Sequence, residues 1–212
     1  TWNPWIGCSK VSAGCDHCYA ERQFGGGSRY ARSLGMGNCF GPNADRYIPK
    51  TCNVPAWNRA ARRAGVRRRV FVGSLCDLFE DRRDLDSSRT RVGRLIAEST
   101  DLDFLLLTKR PQHVSQLVPW GSHWPTNVWL GVTAEDQRTA DERIPLLVGC
   151  PAVVRFVSAE PLLGPLDLSR WSSQIDWIIV GGESGPKQIA RPMIMPWVRA
   201  LCDQSRRMDI PL

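Results

Sequence analysis

A chain of 212 residues, 42% hydrophobic and 23% charged, has the composition of one folded α/β domain with a sizeable core. No apolar run approaches the roughly 18 residues that span a bilayer as a helix. Eight cysteines at this length are too sparse and scattered for a secreted disulfide scaffold, so a reducing cytoplasm is expected, and the net charge of +7 excludes an acidic surface.

The first 22 residues read as a loop, broken by Pro4, Gly7 and Gly14, with a helix opening at Tyr19. Three cysteines fall here, Cys8, Cys15 and Cys18, spaced C-x6-C-x2-C. Thiolates at this spacing can converge on one soft metal centre, because the C-x2-C pair turns back on itself and the longer arm closes around it. A structural zinc site normally has four closed ligands. Three cysteines on a [4Fe–4S] cluster leave one iron open. The competing reading is a nucleic-acid-binding module with structural zinc and His17 as a fourth ligand, although a position between two bound thiolates is awkward for that ring.

Residues 23–53 form a Gly-, Arg- and Asn-rich insertion of irregular structure, carrying Cys39 and Cys52 as two further metal-ligand types. A helix is predicted over Ala56 to Ala64, ended by Gly65. From residue 56 to 208 the chain alternates helices with five apolar runs, at residues 69–73, 103–108, 127–133, 152–158 and 176–180. Continuous runs of this length separated by helices predict parallel strands covered on both faces. Helices are expected over Leu85 to Ser99, near Gln112 to Val118, from the acidic start Ala134-Glu135-Asp136 onward with apolar residues at Ile144, Leu146 and Leu147, and from about Pro196 to Arg207. A further strand is expected before Thr1 and another after Leu212.

Each run ends in polar residues: Ser74 and Asp77, Thr108 and Lys109, Thr133 and Glu135, Ser158 and Glu160, Glu183 and Ser184. In β/α barrels the active site is built from such strand ends. Thr133 or Ser184 could instead cap the helix that follows. The positive charge is 24 arginines against 4 lysines, clustered at Arg62-Arg63, Arg67-Arg68-Arg69 and Arg82-Arg83. That pattern suits a phosphate-tracking surface, and equally a solvated basic face in an arginine-favouring composition. Trp57, Trp129, Trp177 and Trp197 are expected in the core or between helices, Trp2 and Trp5 beside the cluster loop as solvent shields, and Cys76 and Cys150 as buried thiols. No Ser-His-Asp or P-loop pattern is present.

The run Thr1-Trp-Asn-Pro-Trp-Ile-Gly-Cys-Ser-Lys-Val-Ser-Ala-Gly-Cys-Asp-His-Cys-Tyr-Ala-Glu-Arg22 resembles the signature of phage-associated three-Cys-motif proteins, a family of unassigned function. The resemblance continues through Val70-Phe-Val-Gly-Ser-Leu-Cys-Asp-Leu-Phe79, Leu107-Thr-Lys-Arg-Pro111, Val128-Trp-Leu-Gly-Val-Thr-Ala-Glu-Asp-Gln137 and Arg155-Phe-Val-Ser-Ala-Glu-Pro-Leu-Leu-Gly-Pro165 to Val180-Gly-Gly-Glu-Ser-Gly-Pro186. Residues 25–52 and the link Lys187-Gln188-Ile189 depart from it. That family is in turn similar to the radical S-adenosylmethionine (SAM) superfamily, spore photoproduct lyase-like branch, although the first cysteine arm is longer than the commonest C-x3-C-x2-C.

The resemblance implies a partial (β/α) barrel and a [4Fe–4S] cluster on Cys8, Cys15 and Cys18. SAM would fill the open iron through its amino and carboxylate groups. An electron from an external donor, passed through the cluster, would break a carbon–sulfur bond of SAM and give a 5′-deoxyadenosyl radical that abstracts hydrogen. Ser74 and Asp77 stand where the SAM amino group is held, Thr108 and Lys109 face its carboxylate or ribose, and Thr133 joins this set. Gly181-Gly182-Glu183 spells a SAM-binding motif but lies too far along the chain, so Glu160 and Glu183 are cast as supporting or substrate contacts. The expected substrate is nucleic acid or a nucleotide, in the cytoplasm of a bacterial host of phage or prophage.

Overall fold

In the computed structural model, which describes residues 1–212, each of the five apolar runs is a strand. They are β1 (Arg68–Val72), β2 (Leu102–Thr108), β3 (Val128–Thr133), β4 (Val154–Ala159) and β5 (Trp177–Val180). All neighbours pair in parallel, in the order β1-β2-β3-β4-β5, and the sheet curls into a half-barrel flanked by helices. The parallel strands expected from the alternating pattern and the partial β/α barrel implied by the resemblance are therefore the observed architecture. Its register places Val72 beside Leu106, Thr108 beside Val132 and Thr133 beside Ser158, so the C-terminal strand ends share one rim.

Seven helices accompany the strands: α1 (Tyr19–Phe24), α2 (Arg29–Ser33), α3 (Val54–Ala64), α4 (Asp86–Glu98), α5 (Val114–Leu117), α6 (Gln137–Val148) and α7 (Met195–Met208). Gly65 ends α3 at φ 63°, a left-handed conformation that glycine adopts without penalty. The helix expected after Thr133 is capped by Asp136, whose carboxylate accepts from Thr139 N at 2.8 Å while Thr139 Oγ1 accepts from Asp136 N at 3.1 Å. Thr133 itself ends β3, and Ser184 precedes no helix, so neither is a cap. Between β4 and β5 the chain makes only a 3-10 turn, Ser169–Trp171.

Alternate strand residues divide the sheet's two faces. Val70, Val72, Phe104, Leu106, Leu130, Val132 and Val157 pack outward in one core with Val92, Ile96, Ile144 and Leu147 of α4 and α6. Truncating a fully buried member such as Leu130 to alanine costs about 2–5 kcal/mol. The inward face is plugged at its lower end by aromatic rings. Phe156 lies 5.6 Å from Trp177, Trp177 lies 6.3 Å from Trp129, and Arg69 stands 4.7 Å above Trp129. Gly131 makes room for this plug, since a Cβ there would sit 2.3 Å from Phe156 Cε2.

Both sheet edges are met by residues near the chain ends. Trp2 N donates to Phe71 O at 2.8 Å, forming a parallel bridge with β1, and Ile178 N of β5 donates to Pro211 O at 2.9 Å. Trp2 and Trp5 are buried in the main core, where they anchor the start of the cysteine loop.

The insertion at residues 23–53 is organised despite its glycines. Ala31, Met36, Cys39 and Phe40 form a small second core with Ile6 and Ala20, against which Cys8 and Cys18 pack. Cys52 packs against the main core instead, so Cys39 and Cys52 belong to different clusters. No helix is long and apolar enough to cross a membrane.

Candidate functional site

A cavity of about 240 Å³ opens at the C-terminal strand ends. Its lining includes Cys8, Cys15 and Cys18, together with Ser74, Asp77, Thr108, Lys109, Thr133, Glu160 and Glu183. The ten residues named as cluster ligands or as SAM or substrate contacts thus meet at one place, whereas Glu135 lies outside the lining. The strands bring them there because each polar residue follows an apolar stretch that ends at the same rim.

Within the cavity these residues differ in how committed they are. Asp77 is saturated: Oδ1 accepts from Thr108 Oγ1 at 2.7 Å and Phe79 N at 3.0 Å, and Oδ2 accepts from Lys109 N and Arg110 Nη1, both at 3.0 Å. It stitches the end of β1 to the end of β2. Ser74 is bonded to Asn3, Nδ2 to Oγ at 3.0 Å, and its carbonyl accepts from Tyr19 Oη at 2.5 Å. Lys109 Nζ reaches Thr133 Oγ1 at 3.2 Å and stands 4.0 Å from Glu135 Oε1. Its side chain keeps 22% exposure, which leaves donor capacity for a ligand. Glu160 is exposed on the rim and has no ion-pair partner.

Glu183 is turned to another task. Its Oε2 accepts from Arg191 N at 2.8 Å and Arg191 Nε at 3.1 Å and pairs with His17 Nδ1 at 2.9 Å, while Oε1 accepts from Arg191 Nη2. Burial pushes this carboxyl up, but the Arg191 and His17 hydrogen bonds outweigh it and hold it at about 2. Arg191 Nη2 also donates to Ala13 O at 2.7 Å. The Glu183 pair therefore fixes the cysteine loop.

Two further carboxylates do the same. Glu80 accepts from Ser9 N at 3.1 Å and Ser9 Oγ at 2.7 Å, and forms a two-point pair with Arg46 at 3.0 and 2.7 Å. Glu135 accepts from Ser12 Oγ at 2.6 Å and Arg143 Nη1 at 2.9 Å. Three glutamates, each neutralised by an arginine, hold the loop at Ser9, Ser12 and His17. Arg46 also donates to the carbonyls of Cys39, Gly41 and Ala44, which straps the insertion onto the loop.

Sequence reasoning missed Glu80, Arg46, Arg143, Arg191 and above all Arg110. Arg110 is buried and donates to Ser9 O at 2.7 Å and Cys8 Sγ at 3.4 Å. The available signal was its place directly after Lys109, at the same strand end. The arginine clusters at residues 62–69 lie at the opposite, N-terminal ends of the strands, where Arg62 pairs with Asp101 and Arg67 with Asp103.

All eight cysteines are free thiols. Burial pushes the Cys8 thiol up to about 12, the Asp77 carboxylate adds to this, and Arg110 opposes it. The three cavity thiols stand around the cavity without converging on one point, and no group of three His, Cys, Asp or Glu side chains is placed to hold a single ion. His17 is engaged by Glu183. The remaining donor set is all sulfur, the chemistry that suits an iron–sulfur cluster held by three thiolates.

No curated protein and no solved structure matches the chain. Over residues 1–212 it matches the family described as "Protein of unknown function (DUF5131)", and the chain belongs to that family.

Proposed function

We propose that the protein is a radical SAM-type iron–sulfur enzyme. The observation that carries this reading is the meeting of Cys8, Cys15 and Cys18 with the polar ends of parallel strands around one cavity. The three thiols would hold a [4Fe–4S] cluster, and Lys109, which keeps donor capacity beyond its contacts to Thr133 and Glu135, and the unpaired Glu160 would serve the carboxylate and amino groups of SAM. The bound pair would supply one-electron cleavage of a carbon–sulfur bond, with the electron drawn from an external donor. The chain's own residues bind, orient and exclude water: Glu80, Glu135 and Glu183 fix the loop, Asp77 and Thr108 fix the strand ends, and the aromatic plug of Trp129, Phe156 and Trp177 closes the barrel below.

The substrate class we propose is nucleic acid or a nucleotide. It rests on the net charge of +7 and on Arg22 beside the cavity rim, because the arginine clusters at residues 62–69 lie at the far end of the strands. A cytoplasmic setting is part of the same proposal.

Anaerobic reconstitution with iron and sulfide, followed by reduction in the presence of SAM, tests the reading. The expected result is four irons and four sulfides per chain, as in one [4Fe–4S] cluster, with release of methionine and 5′-deoxyadenosine. Two results would overturn it: iron content unchanged in Cys8→Ala, Cys15→Ala and Cys18→Ala alike, or stoichiometric zinc without iron in anaerobically purified protein.

A further inference from the structure

The three cavity thiols are not equivalent. Cys8 Sγ accepts an N–H from Arg110 Nη1 at 3.4 Å, whereas no side-chain donor reaches the sulfur of Cys15 or Cys18. Arg110 is held for this contact from three sides. Its own backbone N donates to Thr108 Oγ1 at 2.8 Å, which folds the residue back over the strand end. The same Nη1 donates to Asp77 Oδ2 at 3.0 Å, and Nη2 donates to Ser9 O at 2.7 Å and Ser9 Oγ at 3.0 Å. The guanidinium thus bridges the end of β2 to the residue next to Cys8, with a side chain only 6% exposed. Asp77 and Glu80 carry the opposing buried charge, matched by Arg110 and Arg46, so the network is neutral before any thiolate is added.

Hydrogen bonds to the sulfurs of an iron–sulfur cluster, and buried positive charge beside it, favour the reduced and more negative form. We infer that Arg110 is a positioning residue that makes Cys8 the one hydrogen-bonded ligand of the three and raises the cluster's reduction potential. The inference rests on the proposed iron–sulfur reading. The step it acts on is the gain of one electron by the cluster from a one-electron reductant, with no bond made or broken. Only the difference in this hydrogen bond between the two redox states counts, so a roughly tenfold effect on the reduced-to-oxidised ratio is expected.

The test is an anaerobic redox titration of reconstituted wild type, Arg110→Gln and Arg110→Lys. The paramagnetic signal of the reduced cluster is followed, normalised to iron and sulfide content, and circular dichroism checks the fold. Arg110→Gln is expected to lower the reduced-to-oxidised ratio roughly tenfold at fixed applied potential, about 59 mV for a one-electron couple. Arg110→Lys keeps the cation beside Asp77 on a shorter stem, and a smaller shift in the same direction is expected. Should Arg110→Gln not fold, the lysine variant decides. Unshifted or raised potentials in cluster-bearing variants overturn the role of Arg110 and leave the proposed function standing. A wild type that takes up no iron and sulfide overturns the proposed function itself.

Discussion

Replacing Glu183 by glutamine removes the charge that Arg191 and His17 share while preserving the side chain's shape. The carboxyl is held at about 2 against an ordinary 4.5. At 1.36 kcal/mol per pKa unit, that depression corresponds to about 3 kcal/mol of folded-state stability. Arg191 is 32% exposed, so solvent screening trims the expected figure to about 2–3 kcal/mol. A depressed carboxylate contributes fully above its unfolded value and loses its contribution as pH falls through the folded value. The gap between wild type and Glu183→Gln should therefore be about 2–3 kcal/mol at neutral pH, narrow from 4.5 downward and close towards pH 2. Urea unfolding of the reduced, metal-free protein, followed by tryptophan fluorescence across that pH range, measures it. A gap of the same size on the acid and neutral sides would refute the reasoning, as would the absence of any gap at neutral pH.

Three other substitutions probe the packing that supports the site. Gly131→Ala drives a methyl into the Phe156 ring, at 2.3 Å from Cε2, and should cost about 2–3 kcal/mol in thermal or urea unfolding. Adding Phe156→Leu should recover part of that loss, so a double mutant no more stable than Gly131→Ala alone would contradict the contact. Gly7 has φ +118° and its Cβ would lie 2.1 Å from Cys39 O, so Gly7→Ala should detach the insertion and open residues 23–53 to limited proteolysis, with unchanged cleavage counting against it. Thr108→Val deletes the donor to Asp77 and the acceptor for Arg110 N, at an expected cost of about 2 kcal/mol measured by urea unfolding.

The strands were readable because parallel strands buried on both faces show as unbroken apolar runs, and Phe104 to Leu106 is fully hydrophobic for that reason. Once the strands were placed, the site followed, since Ser74, Thr108, Thr133 and Glu160 had to emerge on the same rim. The side chosen by the arginines was also implicit: Arg67 to Arg69 precede β1's apolar residues and so belong to the other end. What stayed hidden were buried pairs between distant parts of the chain. Arg46 sat in a glycine-rich stretch with no periodicity to mark it as an interior residue, yet it is 8% exposed and pairs with Glu80. Glu183 is polar at a strand end like the others, and nothing local shows that Arg191 has already claimed it. Trp5 is adjacent to the cysteines in sequence, but the chain turns it into the main core.

The sheet is assembled from neighbours in order, whereas the cysteine loop is tied to partners spread along the whole chain. Ser9 meets Glu80 across 71 residues, Ser12 meets Glu135 across 123, and His17 meets Glu183 across 166. During synthesis the loop leaves the ribosome before the strands that hold it, and each tether must wait for its strand. A nascent chain that has completed β3 and its following turn can be fixed at Ser9 and Ser12 while the C-x2-C end remains loose. Closure of the largest ring carries the greatest entropic cost and comes only when Arg191 has emerged. A loop made before all of its partners is the last to acquire its shape.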